Sequence, residues 1–297
     1  MARDLSRSDR AAAGVDLRPG KAPAHFAAAP RRLPRVGRFV LAVASGAVLL
    51  FLCLPIAVVV PMSFSSASSL EFPPPGLSLR WYESFFGDPR WLRAAGTSAL
   101  VALASSVAAL ILGSVAAYGL VRGSFRGRAL VEGNFIAPLI LPPVITAVAL
   151  YIFFAKIGLL GTMPGLIAAH TILTVPYVVL LMSVAIRQFD VRIEQVAYSL
   201  GASWFRMFKS VLLPNLLPSV LAAWIFAFII SFDEVIVTLF LAGSYDTIPK
   251  RMFNELILQV NPTITAIATL LIGLSVVTIA IVTWLMLRAG VLGRTLG

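Results

Sequence analysis

The stretch EQVAYSLGASWFRMFKSVLLPN, residues 194–215, lies between two long apolar runs. Hydropathy falls between Arg187 and Pro218. Within it, however, Val196, Leu200, Trp204, Met207, Phe208 and Val211 recur at steps of three or four, which is the pattern of one apolar helical face. Gly201 would cost about 1 kcal/mol in a helix interior, but just past a helix end it fits. Ser203, two residues on, is a natural cap for a second helix. The spacing predicts two short helices joined at a bend. Such a hairpin, polar on one side and apolar on the other, cannot cross a bilayer, which leaves two roles: lying on the membrane surface, or presenting one face to a soluble partner.

The rest of the chain makes the setting plain. Of 297 residues, 59% are hydrophobic and 12% charged, whereas soluble proteins carry about 25% charged residues. This composition implies an integral membrane protein, and its long apolar runs make it all-α. Apolar runs of about 20 residues, the length needed to cross a bilayer, occur near 38–62, 94–121, 134–155, 165–186, 218–241 and 263–287, giving six expected spans. In a soluble chain the net charge of +11 would point to nucleic acid, but here it reflects topology and no nucleic-acid partner is expected. Alternate connections hold 18 and 6 Lys/Arg, so the positive-inside rule puts both termini and the quoted stretch in the cytoplasm. Residues 1–37 are expected to be a disordered basic tail, 38–287 the membrane domain with a cytoplasmic loop at about 187–217, and 288–297 a short cytoplasmic tail. The run at 38–62 is longer than a signal-peptide core and is read as a retained anchor. Cys53, the one cysteine, can form no intrachain disulfide.

Small residues crowd the second span (Ala99, Ala102, Ser105, Ser106, Ala109, Gly113, Ala116 and Ala117), and this places it inside the bundle. Pro138, Pro142 and Pro143 in the third span imply a kink or a broken helix. Trp81, Tyr82 and Trp91 read as interfacial anchors. His170 reads as a hydrogen-bonded interfacial residue, since there is no histidine or cysteine cluster to complete a metal site. The segment 243–257 reads as a short outer helix touching a binding protein, or as a plain surface loop.

Asp233 and Glu234 fall in the fifth span, where a central carboxylate costs roughly 2.5–3.5 kcal/mol. Successive helical residues point about 100° apart, so one acid can line a pathway while the other bonds within the bundle. A pathway carboxylate would attract a cationic amine, helped by cation–π contact with Trp224, Phe228 or Phe232. A structural pair, or a water-reached position at the span's end, is the alternative.

The quoted loop resembles the signature loop of permease subunits of binding-protein-dependent type I ABC importers: Glu-Ala-Ala, three residues, Gly, nine residues, Ile, one residue, Leu-Pro. Aligned on Gly201, the pattern meets Val211, Leu213 and Pro214, with Ala202 after the glycine. Gln195 stands where the family has glutamate, Val196 and Ala197 where it has alanines, and Glu194 lies one place early. In that family the loop is the coupling element for an ATPase subunit. The resemblance implies that either Glu194 supplies the charge toward the ATPase or the pair is absent. Together with SFRGRALVEG, PLILPPVITAVALY, SFDEVIVTLFLAG and PTITAIATLLIGLS, it extends over about residues 40–287 and is similar to the C-type permeases of spermidine/putrescine importers. It implies a bacterial inner-membrane permease with an ATPase dimer, a second permease and an extracytoplasmic substrate-binding protein as partners. The solute would be a polyamine or a related cationic or zwitterionic compound.

A phosphate loop needs G-x-x-x-x-G-K-[ST]. The stretch from Gly14 to Gly20, followed by Lys21 and Ala22, has one residue too many and lacks the hydroxyl. ATP and Mg²⁺ are therefore expected on a partner ATPase, with no cofactor in this chain and no enzymatic role for it. The competing reading is an ion- or proton-coupled secondary transporter that uses Asp233 and Glu234. An intramembrane protease lacks its motifs: there is no HExxH, no G-x-S-x-G, and no two aspartates from separate helices.

Overall fold

The computed structural model describes residues 35–258 and 261–288. The expected basic N-terminal tail lies almost wholly outside them, as does the C-terminal tail after Arg288. The chain divides into two units, Met1–Pro55 and Ile56–Gly297. The first helix, α1 (Arg35–Ser63), runs through that division and is apolar along most of its length.

The second unit is helical. Its elements are α2 (Arg80–Gly87), α3 (Pro89–Arg122), α4 (Arg128–Ile140), α5 (Pro143–Lys156), α6 (Met163–Gln188), α7 (Val191–Ser199), α8 (Trp204–Met207), a π turn (Phe208–Leu212), α9 (Leu213–Phe232), α10 (Ile236–Leu241), α11 (Ile248–Leu258) and α12 (Thr263–Arg288). Its centre is the packing of α3, α6 and α9. Small residues make that packing possible: Ala102, Ser105, Ser106, Ala109, Gly113 and Ala117 of α3 are buried, while Ala99 faces out. A methyl on Gly113 would lie 2.7 Å from a Val178 methyl carbon, so this contact between α3 and α6 admits no side chain. Met182 and Ile186 of α6 and Leu216, Ala223 and Ala227 of α9 complete the cluster.

Among the described residues four helices are long and apolar enough to cross a membrane: α1, α3, α6 and the continuous helical run Trp204–Phe232. The third expected span is not one helix with a kink, because α4 and α5 meet at 108° across Leu141 and Pro142. Pro142 and Pro143 lack the amide hydrogens that would continue the ladder, and Leu141 before them is extended. The fifth expected span, 218–241, is also divided: α9 ends at Phe232, and α10 begins at Ile236 after a three-residue break. α12 provides apolar helix from Thr263 onward.

Two aromatic assignments change. Trp91 is 2% exposed and packs with Phe85, Ala94, Ile248 and Ile267, while the Arg251 guanidinium sits 4.7 Å over its ring. Trp81 is buried as well, so both tryptophans are core residues rather than interfacial anchors. Within the segment 243–257 helix begins at Ile248, as α11, pinned to α3 by the Ile248 N–H donating to Ser98 Oγ at 2.8 Å.

Candidate coupling hairpin and pathway cavity

The hairpin forms where local rules place it. Asp190 caps α7 by accepting from the Arg192 N–H at 2.9 Å. α7 closes with the Ala202 N–H donating to the Ala197 carbonyl and the Gly201 N–H to the Tyr198 carbonyl, the paired bonds of a Schellman end. Gly201 has φ +82°, a region that side chains with a Cβ avoid. Ser203 caps α8 through the Arg206 N–H.

Beyond the turn the chain departs from the two-short-helix expectation. α8, the π turn and α9 run on as one helical rod of 29 residues, Trp204–Phe232. At 1.5 Å per residue that is about 43 Å. The apolar stripe of the hairpin is shared between two environments. Met207 and Leu212 are buried against the α3, α6 and α9 core, whereas Val196, Leu200, Trp204 and Phe205 are exposed, Leu200 by 82%. Gln195, Pro214 and Gly201 are exposed too, and Ala197, Ala202 and Leu213 are partly covered.

Glu194 does not face outward with them. It is 3% exposed, and Arg122, the last residue of α3, grips its Oε1 with Nε at 2.9 Å and a terminal nitrogen at 2.7 Å. The Tyr118 hydroxyl donates to Oε2 at 3.3 Å. Arg122 also donates to the Phe189 carbonyl at the end of α6, at 2.9 Å. The idea that Glu194 supplies a charge to a partner therefore fails on geometry: its carboxylate is spent inside the chain, and Gln195 is among the polar residues left on the free face. Sequence alone offered no sign of this, since the partner lies 72 residues away.

At the other end of the rod, Asp233 and Glu234 occupy the break. The Glu234 side chain reaches forward to accept from the Val237 N–H at 2.8 Å, capping the first turn of α10. Asp233 is exposed on the wall of a cavity of about 510 Å³, which is lined also by Leu103, Trp224, Phe228, Phe232 and residues of α12 such as Leu271 and Ser275. The Phe228 and Phe232 rings lie 5.8 Å apart. One carboxylate with three aromatics is a surface suited to an organic cation.

Beneath the break, His170 is 1% exposed, so it belongs to the bundle core and not to the membrane interface. Its Nδ1 lies 2.9 Å from Ser231 Oγ and its Nε2 3.0 Å from Thr238 Oγ1. Thr238 donates its own proton to the Glu234 carbonyl, so Nε2 is the donor toward Thr238 and Nδ1 accepts from Ser231. Ser231 in turn meets Ser105 of α3 at 2.8 Å. The break is thus tied to α3, α6 and α9 at once.

A helical bundle with a surface hairpin fused to a membrane rod, and a cavity at the far end of that rod, defines a membrane transport component. Residues 109–290 match the family described as binding-protein-dependent transport system inner membrane component. The chain is 34% identical over 248 residues to the putrescine transport system permease protein PotI of Escherichia coli (strain K12), covering 80% of this chain and 88% of that one. It is 31% identical over 243 residues to the spermidine/putrescine transport system permease protein PotC of the same strain, covering 82% and 92%. Its fold is similar to that of a bacterial ABC transporter involved in the import of the acidic polysaccharide alginate, with TM-score 0.64 and 17% identity, over 86% of this chain and 96% of that chain. The chain belongs to the binding-protein-dependent inner-membrane transport components, and it is a permease subunit, not the enzyme that hydrolyses ATP.

Proposed function

We propose that this chain forms one half of the translocation pathway of an ATP-driven importer for a polyamine or a related small cationic or zwitterionic solute. A substrate-binding protein delivers the solute on the outer side. A second permease, more naturally a different chain than a copy, closes the cavity, and an ATPase dimer carrying ATP and Mg²⁺ drives the cycle. Both termini and the hairpin lie in the cytoplasm. The ATPase engages the hairpin around Gln195, Val196, Ala197, Gly201, Ala202, Leu213 and Pro214, with the exposed apolar side chains Val196 and Leu200 as the contact it covers.

One observation carries this reading. The helix that begins at the hairpin turn runs on through one π turn and ends one residue before the acidic residue on the cavity wall. A helix is stiff along its axis, so displacement passed through the π turn to α9 reaches Asp233 along one continuous rod. The solute class follows from Asp233 with Trp224, Phe228 and Phe232, and agrees with the putrescine and spermidine transport named for the relatives.

The test is uptake of labelled putrescine and spermidine by vesicles holding this chain, its partner permease and the ATPase, with the binding protein outside. ATP-dependent uptake is expected, and Asp233→Asn should lower it about tenfold at low solute, equivalent to about 1.4 kcal/mol. Unchanged uptake removes the carboxylate from the pathway. Uptake driven by an ion gradient without nucleotide replaces the importer with a secondary transporter.

A further inference from the structure

We infer that the Arg122–Glu194 ion pair is the joint through which the hairpin moves α3, giving the coupling element a second output besides the rod. This rests on the proposal that the hairpin is the ATPase contact. The hairpin is continuous in chain with α6 before it and α9 after it, but it has no covalent link to α3. What joins them is side-chain chemistry: Arg122 to Glu194 at 2.7 Å, Tyr118 to Glu194, and the Tyr118 ring edge-on to Trp204 at 6.4 Å between centroids.

The pair has the properties of a joint. Both groups are largely withdrawn from solvent, with side-chain exposures of 18% and 4%, so separating them leaves charge buried without a partner. Arg122 spreads its donors over α7 and the Phe189 carbonyl, so α3, α6 and α7 meet at one guanidinium. α3 then carries the motion to where it matters: Leu103, 19 residues back and about 28 Å along the helix axis, lines the same cavity as Asp233. The cavity wall is thereby driven from two sides, through α9 by chain continuity and through α3 by this pair. Gln195 stays free for the ATPase because Glu194 is occupied here.

The experiment uses the complete reconstituted importer and measures uptake and ATP hydrolysis together. Glu194→Gln keeps side-chain volume and removes the charge, and Arg122→Gln removes the charge with a shorter side chain. Each is expected to lower solute imported per ATP hydrolysed about fivefold or more, with ATPase still bound and turning over within about twofold of native. The double variant should be no worse than the poorer single, the non-additivity of groups acting as one unit. Partial recovery by the exchanged pair, Arg122→Glu with Glu194→Arg, would add support. An unchanged ratio in both single variants overturns the inference, and so does loss of ATPase from the complex, which would make the pair a folding contact. If the native complex shows no ATP-dependent uptake, the importer reading itself falls and this inference with it.

Discussion

At the hairpin, α3 meets α7 through one charged pair, Arg122 and Glu194, with apolar side chains left bare around it. At the break beyond α9, α3, α6, α9 and α10 meet through Ser105, Ser231, His170 and Thr238, all neutral in their bonding and all buried. The first junction satisfies its polar atoms and leaves its apolar surface open. The second closes its own polar atoms in a buried circuit, beside the cavity that Asp233 faces. On the function proposed above, the hairpin that meets the ATPase keeps unpaired apolar area, whereas the junction that holds a cavity wall closes its hydrogen-bond circuit within the chain.

This contrast can be broken most sharply at Gly201. A β-branched residue at φ +82° is strained by roughly 1–3 kcal/mol, and Gly201→Val is expected to misshape the hairpin's free face. Uptake should fall at least tenfold and the ATPase should copurify poorly, while Gly201→Asn, which tolerates this conformation, retains most activity. Copurification equal to native for Gly201→Val would mean that the bend is not what the partner reads.

The closed junction predicts a different loss. His170→Ala removes bonds to two buried hydroxyls and should cost about 1–3 kcal/mol of stability, read as a lower thermal midpoint in detergent with the ATPase still bound. Loss of ATPase binding without loss of stability would erase the distinction between the two ends.

A smaller effect is expected at the start of α3, where Asp88 caps the helix and bonds Arg90. That side-chain hydrogen bond, helped by the Arg251 charge, holds the Asp88 carboxyl below its ordinary value of 3.8. A depressed folded pKa means that the contribution is present above that ordinary value and is lost as pH falls through the folded one. The Arg90 partner is largely exposed, so the effect is modest and weakened by salt. Thermal midpoints taken from pH 7 down to pH 3 should fall less for Asp88→Asn than for the native chain, and identical profiles would show that the cap is inert.

Features set by near neighbours were legible in the sequence. The Gly201 end of α7, the Ser203 cap and the small-residue face of α3 follow from rules spanning a few residues, and the structure has each of them. Pro142 and Pro143 announced trouble in the third span, though not a 108° turn. Hidden were the features that depend on distant partners. Glu194 looked like a surface charge until Arg122 met it, and His170 looked interfacial until Ser231 and Thr238, 61 and 68 residues away, closed around it. The break at residues 233–235 contains neither proline nor glycine, so its one signal was the pair of acids within an apolar run.

The π turn at Phe208–Leu212 sets a rule for tolerance to deletion. A π turn accommodates one residue more than the α ladder needs for the same advance. Excising a single residue there lets the ladder close as ordinary α-helix while the segments on either side keep their facing. The same excision from the middle of α9 would swing everything after it by about 100°, turning Asp233 off its wall. The rod therefore carries its slack beside the hairpin, and none of it toward the cavity.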